Sequence, residues 1–142
     1  MLIDPVGIKA GGREDRDIAD VFAMPRDELD ARNYANPAFR MGDLTDALPE
    51  DVLHIARNEE ALALYGWEPY LHNPRLRRWL IRVRVPTLVA WGAQDGIVTA
   101  DYGRAFAHAI PGARFELVEG AGHRAQIDRP EVLAQLVADH SA

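Results

Sequence analysis

The sequence predicts an α/β fold with parallel strands, and three observations carry that expectation. From residue 83 onward, segments of strand and helix character alternate. The run Val85-Pro86-Thr87-Leu88-Val89-Ala90-Trp91 is almost continuously apolar, as a strand covered on both faces must be. Residues 9–82, by contrast, carry helical patterning with no convincing strand, so they read as a helical group packed on something else.

In chain order, residues 1–8 are a short apolar stretch broken by Asp4-Pro5 and followed by Gly7. They read as the end of a buried strand running into a loop. Pro25 and Pro49 suit the first turn of helices, where the missing N–H costs nothing. Asn73 is placed to cap another helix, with Pro74 at its first position, and Leu76, Trp79, Leu80 and Val83 form one apolar stripe. Pro86 fits only at the start of the Val85–Trp91 strand. Thr99 is expected to cap a helix whose Tyr102, Ala105, Phe106, Ala109 and Ile110 share a face, ended by Pro111-Gly112. Arg114 to Val118 is a second strand, with Phe115 and Leu117 on one side. A last helix begins near Pro130 and turns Val132, Leu133, Leu136 and Val137 inward. A β-α-β-α order implies right-handed crossovers between parallel strands.

Composition bounds the function. The chain has 142 residues, 48% of them hydrophobic, which suits one domain. Its formal charge of −6 offers no footprint for nucleic acid or anionic membrane. The Arg75, Arg77, Arg78, Arg82 and Arg84 cluster reads as a solvated helix face. With no cysteine, disulfides, thiolate metal sites and a cysteine nucleophile are excluded. Asp51 and His54 lie one helical turn apart without a third ligand, so no metal site is expected. Gly11-Gly12 follows no strand and makes no phosphate loop, and no cofactor is expected. No apolar run reaches membrane-spanning length and the first residues lack the pattern of a secretory signal, so a soluble cytoplasmic setting is the expectation.

In parallel sheets, functional groups gather just past the carboxyl ends of the strands. Trp91-Gly92-Ala93-Gln94-Asp95-Gly96 and Gly120-Ala121-Gly122-His123 both fall there. One helix and one strand separate Asp95 from His123, so their loops are expected side by side. A carboxylate there accepts the imidazole Nδ1–H, holds the tautomer and stabilises the imidazolium that forms when the ring takes a proton. Singly, an Asp-Gly turn or a loop histidine is unremarkable; on consecutive strand ends the pair is specific.

These segments resemble the α/β-hydrolase family. Val85 to Asp95 is similar to the strand and turn that deliver the acid, and Ile110 to Val118 with Gly120-Ala121-Gly122-His123 to the approach to the histidine. Asp128-Arg129-Pro130-Glu131 resembles the start of the family's final helix. The resemblance implies an incomplete α/β-hydrolase sheet with an inserted helical lid: residues 1–8 the end of a core strand, 9–82 the lid, 83–142 the C-terminal core. It implies Asp95 as catalytic acid, His123 as base, and a small apolar acyl-type substrate. The G-x-S-x-G elbow is missing. Ser141 is the only serine, and it lies beyond the last helix. The expectation is therefore a C-terminal part of a hydrolase, inactive alone and poorly soluble or molten unless it self-associates or pairs with an N-terminal half. The alternative is a non-catalytic binding or interaction module that completes a partner chain's sheet.

Overall fold

A computed structural model describes residues 1–12, 14–42 and 44–141. Its sheet has three parallel strands in the order β1-β2-β3: β1 (Leu2–Ile3), β2 (Leu88–Gly92) and β3 (Arg114–Val118). Val89 pairs with Leu2 on one side and Phe115 on the other, and Ala90 with Ile3 and Glu116. All five residues of β2 are buried, the consequence of a strand flanked on both edges and covered on both faces.

The two faces are filled differently because successive side chains point to opposite sides. Val89 and Trp91 face a core completed by Ile8, Ile18, Leu80, Tyr102 and Phe106. Ala90 faces the opposite side, against Val118, Ala121, Ala125 and Leu133. Helix α4 (Ala100–His108) crosses between β2 and β3, and Thr99 caps it by accepting the Tyr102 N–H at 3.3 Å. Gly103 lets α4 lie directly on the Trp91 ring; a Cβ there would stand 2.4 Å from Trp91 Cε3. The Tyr102 hydroxyl accepts the Gly7 and Ile8 amides and donates to the Ile8 carbonyl, binding the segment after β1 to α4.

The helical block comprises α1 (Arg26–Asn33), a 3₁₀ turn at Pro37–Phe39, α2 (Pro49–Gly66) and α3 (Leu76–Leu80). Pro49 opens α2 as expected, with Glu50 and Asp51 favouring its positive N-terminal end. The block is tied to itself by Arg26–Glu59 at 2.6 Å and by Phe22 against Trp67. An isolated antiparallel bridge pairs Ile18 with Val98, just past the turn after β2. The fold closes with α5 (Ala125–Asp128) and α6 (Pro130–Ser141). Among the described residues no helix is long and apolar enough to cross a membrane.

Several boundaries and exposures differ from expectation. Strand pairing starts at Leu88, not Val85: Pro86 has no N–H to donate, and Val85 is 67% exposed. Pro25 sits at the cap position just before α1. Asn73 accepts the Arg75 N–H, and the regular helix begins only at Leu76. Trp79 leaves the expected apolar stripe and lies exposed, with the Arg82 guanidinium 4.8 Å over its ring. Leu2 and Ile3 are exposed rather than buried, since β1 is an edge strand. Leu117 and Val137 are exposed too, at the other edge and on the outer side of α6.

Candidate active site

The turn after β2 is built by backbone bonds. The Asp95 N–H donates to the Gly92 carbonyl at 3.2 Å, the Ala93 N–H to Val118 and the Gln94 N–H to Ala121. The turn is thereby stitched to the end of β3 and its following loop. Gly92 permits this: a Cβ there would lie 2.0 Å from the Gly122 carbonyl oxygen. Gly122 does the same toward the helical block, where a Cβ would lie 2.5 Å from the Asn33 carbonyl oxygen.

Asp95 and His123 meet on this scaffold. The His123 Nδ1–H donates to Asp95 Oδ2 at 2.9 Å. The Asp95 side chain is fully enclosed, whereas His123 is partly open. Asp95 Oδ1 accepts the Ile97 and Val98 amides at 2.8 and 2.9 Å, so the carboxylate is satisfied on both oxygens and its orientation is fixed. With Nδ1 held by Asp95, Nε2 is the ring nitrogen left for proton transfer.

A cavity of about 400 Å³ lies beside the histidine. His123 lines it together with Ile18, Leu29, Leu62, Leu71 and Ile97, so its walls come from both the helical block and the sheet loops. Arg26, Asp30, Asn33, Asn58, Glu59 and Arg124 add polar and charged edges, and Arg124 also stands over the Tyr34 ring. The cavity's size suits a small organic molecule.

Two carboxyl groups at this site were not singled out by the residue patterns. Buried Asp128 accepts the Gly122 amide at 2.8 Å, the Ala35 amide at 2.9 Å and the Asn36 amide at 3.1 Å. It pins the histidine loop to the end of α1. The Asp-Arg-Pro-Glu segment marked its place, but only the fold brings residues 35 and 36 beneath it. Asp4 is 7% exposed at the end of β1; its Oδ1 accepts the Gly92 amide at 2.8 Å, and its Oδ2 is buried without a partner. Burial raises its pKa to about 7, with Asp95 adding to the rise while the Gly92 amide and His123 oppose it.

Other polar residues stand apart from the Asp95–His123 pair. His72 donates Nδ1–H to the Tyr70 carbonyl and lines a different cavity, with Lys9, Asp17 and Tyr70. Asp51 and His54 are exposed on α2, and no cluster of three metal-binding side chains occurs among the described residues. The Gly11 and Gly12 amides are taken by Asp17 and Asp15. Ser141 ends α6, exposed, its hydroxyl donating to the Val137 carbonyl at 2.8 Å.

A family profile described as the alpha/beta hydrolase fold matches residues 17–130, and the chain belongs to that family. Human monoacylglycerol lipase ABHD6 is 33% identical over 61 residues, 43% of this chain and 18% of the lipase. The chain thus spans only a minor part of the curated relatives it matches. Among solved structures, a 2-hydroxy-6-oxo-6-phenylhexa-2,4-dienoate hydrolase from Rhodococcus sp. strain RHA1 is 25% identical with a TM-score of 0.57, covering 86% of this chain and 45% of that one. A meta-cleavage product hydrolase shares the fold at 16% identity and a TM-score of 0.56, covering 81% of this chain and 44% of that one. The three parallel strands accord with an α/β-hydrolase sheet present in part.

Proposed function

We propose that this chain supplies the acid and the base of a hydrolase triad, Asp95 and His123, with the nucleophile coming from residues outside these 142. The observation that carries this reading is the 2.9 Å bond from His123 Nδ1 to a fully enclosed Asp95 whose other oxygen is held by two amides. Asp95 fixes the tautomer and supports the imidazolium; His123 Nε2 takes the nucleophile's proton and later returns it to the leaving group. The helical block, residues 9–82, acts as the lid over the 400 Å³ cavity and excludes water from an apolar acyl-type substrate. The relatives' lipase and dienoate hydrolase names favour ester or related hydrolysis.

Ser141 cannot serve as nucleophile, since it sits at the end of α6 and not on a strand-to-helix turn. The test has two arms. The chain alone should not turn over p-nitrophenyl esters. The chain joined to an upstream segment bearing a serine elbow should do so, losing roughly 10⁴-fold or more in kcat on His123→Ala. Turnover by the chain alone that His123→Ala abolishes would refute the missing nucleophile; an active longer chain indifferent to His123→Ala would refute the assigned base.

A second reading rests on the open edge of β1, where Leu2 and Ile3 are exposed. An unpaired parallel edge of this kind accepts another strand, so the chain would complete a partner's sheet. Both readings share that pairing and differ in whether His123 then performs chemistry.

A further inference from the structure

We propose that residues 73–87 form a docking surface for an anionic lipid membrane, with Trp79, Ile81 and Val85 entering the headgroup region and the arginines around them meeting lipid phosphates. The surface lies before the first residue of β2, whereas the Asp95–His123 pair stands past its last, so the two occupy opposite ends of that strand. The proposal is independent of the triad reading.

This segment holds Arg75, Arg77, Arg78, Arg82 and Arg84 and no Asp or Glu, a local charge of +5 in a chain whose formal total is −6. All five are exposed, and among the described residues none joins an ion pair. Arg82 lies over the Trp79 ring and Arg84 donates to the Ile81 carbonyl at 3.2 Å, contacts that leave the positive charge uncancelled. The same segment turns three large apolar groups to solvent: Trp79 is 56%, Ile81 57% and Val85 67% exposed. Packing explains why. Leu80 is buried in the core with Val89 and Trp91, and Leu76 and Val83 pack against that core. The Val83 N–H donates to the Leu80 carbonyl at 3.0 Å, and the Arg82 N–H to that of Trp79 at 2.9 Å. The inward residues fix the backbone, and Trp79, Ile81 and Arg82 are thereby held outward. The Arg114 amide donates to the Thr87 carbonyl at 2.9 Å, which brings exposed Arg114, the first residue of β3, to the same end of the sheet.

A face that is only solvated needs no indole or branched aliphatic side chain among its arginines, and such groups gain nothing from water. A lipid surface uses both kinds at once. An indole settles at headgroup level, aliphatic groups leave water beneath it, and guanidinium groups take phosphate oxygens bidentately. Nucleic acid fits less well. Its phosphates would engage the arginines but give Ile81 and Val85 no apolar cover, and the Trp79 ring on which a base would stack already carries Arg82 on one face. The negative total charge does not oppose docking strongly, because at physiological ionic strength charges more than about 8 Å from the surface are screened. Each arginine close to an anionic leaflet strengthens binding by on the order of fivefold.

The experiment is flotation of the purified chain with vesicles, which separates bound chain from self-associated material that sinks. The chain should float with phosphatidylcholine vesicles holding about 30% phosphatidylglycerol and not with phosphatidylcholine alone, and about 1 M salt should release it. Arg77→Gln combined with Arg78→Gln should weaken binding roughly 20-fold. Binding should shift tryptophan emission to the blue, and Trp79→Phe should remove that shift while flotation persists. The altered positions are all exposed; if a variant nevertheless does not fold, the lipid and salt dependence of the unaltered chain still decides. Equal flotation with both vesicles, or none with either, overturns the proposal. So does a blue shift that survives Trp79→Phe, which would put the contact at another tryptophan. Tighter binding to a duplex oligonucleotide or to polyglutamate than to the acidic vesicles, at equal charge concentration, also overturns it and assigns the arginines to a nucleic acid or to an acidic protein.

Discussion

Gly92→Ala should separate the two loops that carry Asp95 and His123. The Cβ it introduces would lie 2.0 Å from the Gly122 carbonyl oxygen, with the Ala121 oxygen at 2.7 Å. Ordinary contact begins at 3.4 Å, so the backbones must part by about 1.4 Å. Both obstacles are main chain, so no side-chain rotation relieves them. Carried along the His123–Asp95 direction, that shift stretches a 2.9 Å bond beyond about 4 Å, outside hydrogen-bond range. It also strains the Gln94 bond to Ala121 and the Asp4 bond to Gly92. Overpacking of this kind costs about 3 kcal/mol or more, equivalent to a drop in Tm of about 10 °C for a chain of this size. Thermal melts and the His123 Nδ1–H resonance are the two readouts. A variant that melts within a degree or two of the parent and keeps that resonance would show that the close approach of these loops is not what assembles the site.

Asp128→Ala leaves the Gly122, Ala35 and Asn36 amides without their shared acceptor and should cost about 3 kcal/mol, with hydrogen exchange quickening at those amides first; unchanged exchange would contradict it. Asp4 predicts a pH dependence of stability. Its folded pKa, about 7, exceeds the unfolded 3.8, so the folded chain binds more protons between those values. The contribution is full below about pH 4 and fades as pH rises through 7, by up to about 4 kcal/mol. Denaturant unfolding should show Asp4→Asn gaining on the parent from pH 5 to pH 8; parallel curves would dismiss the shift. At the sheet edge, Ile3→Lys should reduce self-association measured by light scattering, while a parent chain already monomeric and sharply melting would remove the expectation that β1 seeks a partner.

The helical block is joined to the chemistry by hydrogen bonds at the end of α1 as well as by apolar packing, in which Ile18 and Leu80 share a core with Val89 and Trp91. Asp128 holds residues 35 and 36, and the Asn33 carbonyl accepts the Arg124 amide at 3.1 Å. The Arg32 carbonyl likewise accepts the Gly96 amide at 3.1 Å. The end of α1 thus sits on both loops, one beside Asp95 and the other beside His123. Movement of α1 would reach the acid and the base together.

Local patterning in the sequence by itself determined much of the core half. The apolar run around Leu88 to Trp91, the Thr99 cap, the Pro111-Gly112 stop and the helix from Pro130 act within a few residues, through burial, capping and fixed dihedrals. The loop positions of Asp95 and His123 were legible for the same reason, since a strand end followed by glycine announces itself locally. Tertiary structure alone decided the rest. Whether Trp79 faces inward depended on Arg82 and the space around α3, not on its place in a helical stripe. The partners of Asp128 lie 92 and 93 positions away, and the amide that meets Asp4 lies 88 positions away. Carboxyl groups are ordinary in turns, and what makes these two unusual is desolvation and long-range donors, which exist only once the chain has closed on itself.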